Sequence, residues 1–303
     1  MYDNEMLDLA PQDPAWGHEM ARDADGLDLH YVRAGQGAPT VLLLHGWPGF
    51  WYDWRRVLPL LAPTTSVIAM DLRGFGASAK PDWPVREAYS PAAQARNVLT
   101  LLDALQLEQV IVVGYDVGGR VALNLARSAP QRVRALVLGP TLYAGFGMRP
   151  LQPEAQRERW YQHFHTTPQA DQLIGHDRET VRLYLSYFYD HWVSNKQSLR
   201  PKEFEAIVET YAQPGAVRGS IAWYRAGAGS GQITASSLQE APIEQPTAVV
   251  WGGNDPILPA AWTDRLEEFF SHLTSVQILP GIGHFVPFEA PEALVEAIRT
   301  LLE

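Results

Sequence analysis

The fold of this chain is decided by the stretch Val110-Ile-Val-Val-Gly-Tyr-Asp-Val-Gly-Gly-Arg120, which continues as Val121-Ala-Leu-Asn-Leu-Ala126. The apolar run at its start predicts a buried strand, and the second part predicts a packed helix. Three glycines stand at the junction of strand and helix, Gly114, Gly118 and Gly119. A strand, a sharp glycine-lined turn and a helix in this order are typical of a nucleophile elbow, from which one reactive side chain projects.

Asp116 occupies the projecting position of this elbow. A serine there would attack an acyl carbon, whereas a carboxylate is suited to attack a saturated carbon and to become an ester itself. The alternative interpretation is structural, with Asp116 as the N-cap of the helix. Gly114 and Gly118 favour the elbow, because a strained turn with a close backbone approach needs glycines there and a cap does not.

The composition indicates a globular protein with a sizeable core, since 46% of the 303 residues are hydrophobic and 19% are charged. A net charge of −10 argues against nucleic acid or an anionic membrane as a partner. The absence of cysteine excludes disulfides, thiolate nucleophiles and cysteine-ligated zinc. The acidic start of the chain lacks the features of a signal peptide, and no stretch reaches the length of a membrane span, so we expect a cytoplasmic protein.

Apolar runs and helical patterns alternate in the two end regions of the chain. Residues 16–34 predict two antiparallel strands around a turn at Asp25-Gly26. Further strands are predicted at Thr40–Leu44, Ser66–Met70, Val133–Leu138, Thr247–Trp251 and Ser275–Leu279. Helices are predicted at Trp51–Leu61, Pro91–Leu105, Pro259–Phe270 and Pro291–Leu302. This order predicts an α/β fold, with a mostly parallel central sheet flanked by helices.

The pattern changes between residues 141 and 240, where amphipathic segments follow one another without an apolar strand run. The segments are Glu154–His165, Arg178–Trp192, Lys202–Tyr211 and Val217–Ala226. We therefore expect an all-helical insertion, here called the cap (residues 141–240), in a core domain formed by residues 1–140 and 241–303. Aromatic residues crowd the cap, and Gly227–Ser237 predicts a loop near its end.

Three polar residues directly follow three of the predicted strands: Asp116, Asp255 and His284. The carboxyl ends of parallel strands meet at one edge of a sheet, where ligands bind. Each residue has a structural alternative, since Asp255 could stabilise the turn before Pro256 and His284 could be a loop residue packed beside Phe285. All three together, in the order nucleophile, acid and histidine, are typical of the catalytic triad of an α/β-hydrolase.

The triad assigns each residue a role in hydrolysis through a covalent ester intermediate. Asp116 attacks carbon, His284 takes a proton from the water that attacks the ester, and Asp255 orients and stabilises the imidazolium. An oxyanion forms on the Asp116 carboxyl during that attack. The backbone N–H groups of Trp47 and Val117 are the expected donors of the oxyanion hole.

Four motifs resemble those of the epoxide hydrolases of the α/β-hydrolase fold, especially the bacterial soluble enzymes, and the resemblance covers nearly the whole chain. His45-Gly-Trp-Pro-Gly49 resembles the oxyanion loop of that family, and Gly114-Tyr-Asp-Val-Gly118 resembles its aspartate elbow. Trp251-Gly-Gly-Asn-Asp255 and Gly283-His-Phe285 resemble its acid and histidine motifs. The resemblance implies an enzyme without a cofactor that converts hydrophobic epoxides and water to vicinal diols.

Two segments of the cap carry the specific part of this resemblance. Arg159-Trp-Tyr-Gln-His-Phe-His165 and Ala222-Trp-Tyr-Arg-Ala226 are similar to the family segments that hold two ring-opening tyrosines, which implies this role for Tyr161 and Tyr224. Two phenols can hydrogen-bond the epoxide oxygen and protonate it as charge develops. Without the resemblance, both residues are interpreted as aromatic core residues.

The predicted site lies between the sheet and the cap. We expect His45, Trp160 and Phe285 to contact the substrate, with Val117 as a further apolar wall. No metal is expected, because no acidic cluster accompanies the histidines of the cap.

Three alternative functions remain open. Haloacetate dehalogenases resemble this chain at Trp160, Tyr224 and Arg120, but they hold the substrate carboxylate with an arginine directly after the nucleophile, where this chain has Val117. Haloalkane dehalogenases usually bind halide with a tryptophan at that same position. The third alternative is a ligand receptor without catalysis, which the complete set of triad and paired tyrosines disfavours.

Overall fold

The sheet at the centre of the molecule has eight strands. The computed structural model describes residues 9–23, 25–228 and 240–302. The strands are β1 (His18–Arg22), β2 (Asp28–Ala34), β3 (Thr40–Leu44), β4 (Val67–Met70), β5 (Val110–Gly114), β6 (Val133–Leu138), β7 (Thr247–Gly252) and β8 (Leu273–Leu279). Their order in the sheet is β1-β2-β4-β3-β5-β6-β7-β8. The pairs β1–β2 and β2–β4 are antiparallel and the other five are parallel, which confirms the predicted α/β class and mostly parallel sheet.

The burial of each strand explains its sequence pattern. All residues of the neighbouring strands β3 and β5 are buried, so their continuous apolar runs follow from their place in the middle of the sheet. Strand β8 lies at the edge, and its residues alternate between half-buried and exposed. The predicted hairpin at Asp25-Gly26 joins β1 and β2, and Gly26 has a φ of 76°, which favours glycine.

Helices connect the strands of the core. They are α1 (Leu58–Leu61), α2 (Val85–Tyr89), α3 (Pro91–Ala104), α4 (Asp116–Ser128), and, after the cap, α11 (Leu266–Phe269), α12 (Val286–Glu289) and α13 (Pro291–Arg299). The cap contributes α5 (Pro153–Glu158), α6 (Trp160–Thr166), α7 (Ala170–Ile174), α8 (Arg178–Trp192), α9 (Pro201–Tyr211) and α10 (Ala216–Trp223). Helix α3 begins as its sequence predicts, with Pro91 in the first turn and the Ser90 side chain accepting the N–H of Ala93 at 3.3 Å.

Two predicted helices of the core are wrong in extent. The segment Trp51–Leu61 is a 3-10 turn at Trp51–Trp54 followed by the four-residue α1, because Pro59 lacks an N–H and fits only the first turn of a helix. The segment Pro259–Phe270 is likewise divided into a 3-10 turn at Ala260–Thr263 and the short α11. In that turn, the rings of Trp262 and Phe146 pack together with their centroids 5.2 Å apart. The helical pattern of the sequence does not reveal this tertiary contact.

The cap rests on the core through buried polar contacts. Glu203 at the start of α9 binds Arg55 with a Nε–Oε1 distance of 2.9 Å, and both side chains are buried. Two cap tyrosines donate hydrogen bonds to the loop after β3: Tyr211 to the carbonyl of Gly49 at 3.1 Å, and Tyr189 to that of Pro48. These contacts fix the cap helices α8 and α9 against the carboxyl end of the sheet.

The end of the cap is described only in part. Helix α10 continues into a π-helical turn, Tyr224–Ala228, and most of the predicted loop Gly227–Ser237 lies outside the described residues. Within the described ranges, no helix is both long and apolar enough to cross a membrane.

Candidate active site

The turn between β5 and α4 holds Asp116 in a strained backbone conformation. Its φ is +47°, in the left-handed region that non-glycine residues rarely adopt. The conformation is fixed by two hydrogen bonds: Asp116 donates its N–H to the carbonyl of Pro140 at 2.6 Å, and the Thr141 hydroxyl donates to the Asp116 carbonyl at 2.8 Å. Gly118 is required as well, because a Cβ there would overlap the carbonyl of Leu44. Residues at the ends of β3 and β6 therefore stabilise the strained backbone of this turn.

The Asp116 carboxylate lies at the predicted oxyanion donors. The backbone N–H of Trp47 donates to Oδ1 at 2.7 Å, and the backbone N–H of Val117 also hydrogen-bonds the carboxylate. Burial raises the pKa of Asp116, although the His284 imidazole and the two N–H groups offset part of this rise. The side chain of Asp116 remains 17% exposed, so a small molecule can reach it.

His284 and Asp255 stand next to the nucleophile. The Nδ1 atom of His284 is 2.7 Å from Oδ2 of Asp255, and its Nε2 is 3.8 Å from Oδ2 of Asp116. Oδ1 of Asp255 accepts the N–H groups of Ile257 and Leu258, each at 2.9 Å, which fixes the carboxylate. Because a neutral His284 donates its Nδ1 proton to Asp255, its Nε2 atom carries a lone pair toward Asp116. Burial alone would lower the pKa of His284, but the Asp255 carboxylate outweighs burial and the net shift is upward.

The two cap tyrosines lie side by side against Trp47 of the predicted oxyanion loop. The ring centroids of Tyr161 and Tyr224 are 5.7 Å apart. The Tyr161 ring stacks on Trp47 at 5.2 Å. Burial raises the pKa of both phenols, and the charge of Asp116 raises both further. Both phenols are therefore neutral hydrogen-bond donors at physiological pH.

The hydrogen bond of Tyr161 leaves its own proton unused. Its hydroxyl oxygen accepts from the Gln162 amide at 3.2 Å. This bond does not use the Tyr161 proton, so the proton can point at an oxygen atom of a substrate.

Three residues predicted to contact the substrate are placed differently. His45 is fully buried, its Nδ1 bonds the carbonyl of Gly46 at 2.9 Å, and its Nε2 accepts the N–H of Leu72 at 3.1 Å, so both nitrogens serve the backbone at the ends of β3 and β4. Phe285 is also fully buried and stacks on Tyr189 at 4.9 Å. In the structure, both side chains pack beneath the predicted site, and their contact with a substrate stays a prediction.

Trp160 is the third of these residues. It is 39% exposed, and its ring contacts Tyr161, Tyr187 and Phe188 rather than Trp47 or His284. This position is on the outer part of the aromatic cluster of the cap, and contact of Trp160 with a substrate stays a prediction.

Trp192 lies next to His284, and His165 lies beside Trp47 and Tyr224; the sequence singled out neither as a catalytic or substrate-binding residue. The ring of Trp192, at the end of α8, lies 5.2 Å from His284 and 6.0 Å from Trp47. His165 lies 4.7 Å from Trp47 and 4.8 Å from Tyr224. In the sequence, aromatic residues crowd the cap, and their pattern does not distinguish the rings that face the site from the others.

The histidines of the cap do not converge on one point. His163 bonds Gln156, His165 bonds Tyr184, and His191 bonds Glu158. Across the described part of the chain, no group of three or more His, Asp or Glu side chains could hold a metal ion.

The sheet order and the glycine-lined turn between β5 and α4 are those of the α/β-hydrolase fold. Residues 39–291 match the alpha/beta hydrolase fold family, and the chain belongs to that family.

Known proteins similar to this chain include enzymes of two activities. The soluble epoxide hydrolase of Corynebacterium sp. (strain C12) is 31% identical, over 90% of this chain and 92% of that protein. The fluoroacetate dehalogenase of a Burkholderia species is 28% identical, over 92% of each. The solved structure of epoxide hydrolase CorEH without ligand is 28% identical, with a TM-score of 0.79, and covers 94% of this chain and 97% of that chain.

Proposed function

We propose that this protein is an epoxide hydrolase that converts hydrophobic epoxides to vicinal diols through an ester on Asp116. The observation that carries the proposal is the buried pair of Tyr161 and Tyr224, whose rings pack against Trp47, the residue that hydrogen-bonds the Asp116 carboxylate. An epoxide needs a carboxylate at one carbon and an acid at its oxygen, and this pair supplies the acid. The epoxide hydrolase similarity of the chain supports the same function.

In the first step, Oδ2 of Asp116 attacks one ring carbon, since Oδ1 is held by the N–H of Trp47. The bond between that carbon and the ring oxygen breaks, and the oxygen takes the proton of Tyr161. The phenolate so formed is stabilised by the hydrogen bond from the Gln162 amide. The product of this step is a hydroxyalkyl ester on Asp116.

In the second step, Nε2 of His284 takes a proton from water, and the hydroxide attacks the carboxyl carbon of Asp116. The oxyanion is bound by the N–H groups of Trp47 and Val117. The ester bond to the alkyl oxygen breaks, and this oxygen leaves with the proton from His284 as the second hydroxyl of the diol. The remaining proton of the water returns through the Asp116 carboxyl to the tyrosinate, which restores the resting enzyme.

Asp255 keeps the base in place throughout. Its carboxylate holds Nδ1–H of His284 at 2.7 Å and offsets the charge of the imidazolium that forms in the second step.

The experiment compares styrene oxide, an aliphatic epoxide, a haloalkane and fluoroacetate as substrates of the purified protein. We expect diol from the epoxides, with little halide from the other two, because Val117 offers neither an arginine nor an indole after the nucleophile. Release of halide without turnover of any epoxide would contradict the proposal and favour a dehalogenase. Binding of epoxides without turnover would favour a receptor.

A further inference from the structure

A second carboxyl group is buried directly behind the nucleophile elbow. Asp53 belongs to the 3-10 turn after the oxyanion loop and is 1% exposed. Its Oδ2 accepts the hydroxyl of Tyr115 at 2.5 Å. Tyr115 immediately precedes Asp116 in the chain, so this hydrogen bond connects the turn after β3 with the elbow after β5.

Asp53 also lies against the oxyanion loop. A Cβ on Gly49 would overlap the Asp53 carboxylate, so the backbone of Gly49 is in close contact with it. The carbonyl of the same Gly49 accepts the hydroxyl of Tyr211 from α9. The Tyr115 ring in turn lies 5.9 Å from the ring of His284. One carboxyl group thus contacts, directly or through one residue, the oxyanion loop, the elbow, the cap and the base.

The surroundings of Asp53 bring its ionisation into the neutral range. Burial raises the pKa of Asp53 to about 7, although the Tyr115 hydroxyl and the Arg55 guanidinium lower it in part. The charged or titratable groups that face it are Arg55 on its own turn, Tyr115 and Asp116 on the elbow, Asp71 after β4, Tyr189 on α8 and Tyr211 on α9. An asparagine of the same shape at this position would avoid the cost of burying a charge. A role that requires an aspartate here therefore depends on its ionised form.

We propose that Asp53 and Tyr115 form a positioning pair, in which ionised Asp53 holds the nucleophile elbow in register with the Trp47 N–H of the oxyanion loop. The inference rests on the proposed function, because it concerns the attack by Asp116. An ionised Asp53 only accepts hydrogen bonds, so Tyr115 must donate and the pair has a single arrangement. A protonated Asp53 can donate or accept, which gives the pair two arrangements and loosens the residue next to the nucleophile.

The test measures formation of the Asp116 ester alone. In a His284→Gln background the ester is not hydrolysed, and its rate of formation from styrene oxide is followed by quenched-flow mass spectrometry between about pH 5.5 and about pH 8.5. We expect Asp53→Asn to lower this rate about tenfold at high pH and much less at low pH, where the parent Asp53 is itself neutral.

Two further variants separate positioning from packing. Tyr115→Phe removes the same hydrogen bond from the other side, so we expect the same pH-dependent loss and no additional loss in the double variant with Asp53→Asn. Tyr52→Phe is the matched control, because it removes the hydroxyl that bonds the Leu9 carbonyl, one residue away from Asp53. This control should keep the parental rate at every pH.

A rate ratio between the parent and Asp53→Asn that does not change with pH would overturn the inference, and so would losses that add in the double variant. Failure of the proposed function has a different result. If the parental His284→Gln protein forms no ester on Asp116 with any epoxide, the proposed function is overturned together with this inference.

Discussion

Single side chains decide the chemistry that this fold can perform. In the proposed mechanism, Asp116 attacks a saturated carbon instead of an acyl carbon, and its φ of +47° places the carboxylate at the N–H of Trp47. The N–H of Val117, the next residue, hydrogen-bonds the same carboxylate and is the second donor of the proposed oxyanion hole. The proposed role of Tyr161 and Tyr224 as acids favours a substrate with an oxygen that must be protonated.

The tyrosine pair gives the first prediction. Replacing both Tyr161 and Tyr224 by Phe should lower the rate of epoxide opening by about 10²–10⁴, the usual contribution of a general acid, while either single variant loses less because one phenol remains. The measurement is a single-turnover assay of ester formation. Tyr184→Phe is the control, since its hydroxyl bonds His165 within the same aromatic cluster. An unchanged rate in the double variant would remove the tyrosines from the mechanism.

The ionisation of Asp53 gives a second prediction, on stability. Its pKa is raised from 3.8 to about 7 in the folded protein, so the folded state holds this proton more tightly than the unfolded state does. The stability from this group is therefore full below about pH 4 and is lost as the pH rises through about 7. The Asp53→Asn variant has no such loss. Its free energy of unfolding, relative to that of the parent, should therefore rise by up to about 4 kcal/mol between about pH 4 and about pH 7, because each of about three pKa units corresponds to about 1.36 kcal/mol.

This gain is measured by urea unfolding of the two proteins at a series of pH values. A difference in unfolding free energy that is the same at about pH 5 and about pH 8 would show that Asp53 does not titrate between them.

At the scale of elements, the site depends on how the cap helices meet the loops after the strands. Helix α9 is joined to the turn after β3 by the buried ion pair of Glu203 and Arg55, and α8 carries Tyr189 and Trp192 to the oxyanion loop and the base. Burial alone would raise the pKa of Glu203, but the Arg55 guanidinium outweighs it and lowers the pKa to about 2. The pair is therefore charged at any physiological pH.

The third prediction concerns this ion pair. Glu203→Ala should destabilise the protein by about 3–5 kcal/mol, because it leaves the Arg55 guanidinium buried without its partner. Replacing both residues by Met should recover most of this loss, since no buried charge is then left uncompensated. Thermal unfolding of the two variants measures the effect. A double variant as unstable as Glu203→Ala would show that the packing of the side chains, and not their charge, holds the cap.

The sequence predicts the sheet and the elbow better than it predicts the cap surface of the site. Strands β3 and β5 are short apolar runs with glycine-rich turns at their ends, and such patterns are local. The Asp53–Tyr115 bond joins residues 62 positions apart and leaves no local pattern. The hydrogen bond of His45 to the N–H of Leu72 could not be predicted for the same reason, because Leu72 follows a different strand. Among the cap aromatics, the sequence alone does not distinguish Trp160 from Trp192. Only tertiary packing places Trp160 on the outside of the cluster and Trp192 beside His284.

At the scale of the whole molecule, the fold brings residues from four loops and two cap segments to one point. The core places Trp47 after β3, Asp116 after β5, Asp255 after β7 and His284 after β8, while the cap places Tyr161 on α6 and Tyr224 after α10. In the proposed mechanism, the core residues form and hydrolyse the ester, and the two cap tyrosines supply the acid. An ester on Asp116 is the intermediate that this mechanism requires.

The most direct test of this account is intact-protein and peptide mass spectrometry of the His284→Gln variant after incubation with styrene oxide. The account predicts a lasting mass increase equal to one epoxide, located on Asp116, since the nucleophile still attacks while water is no longer activated. The parent protein should release diol and show little of this adduct. An adduct on another residue, or release of diol at the parental rate without any adduct, would contradict the covalent mechanism.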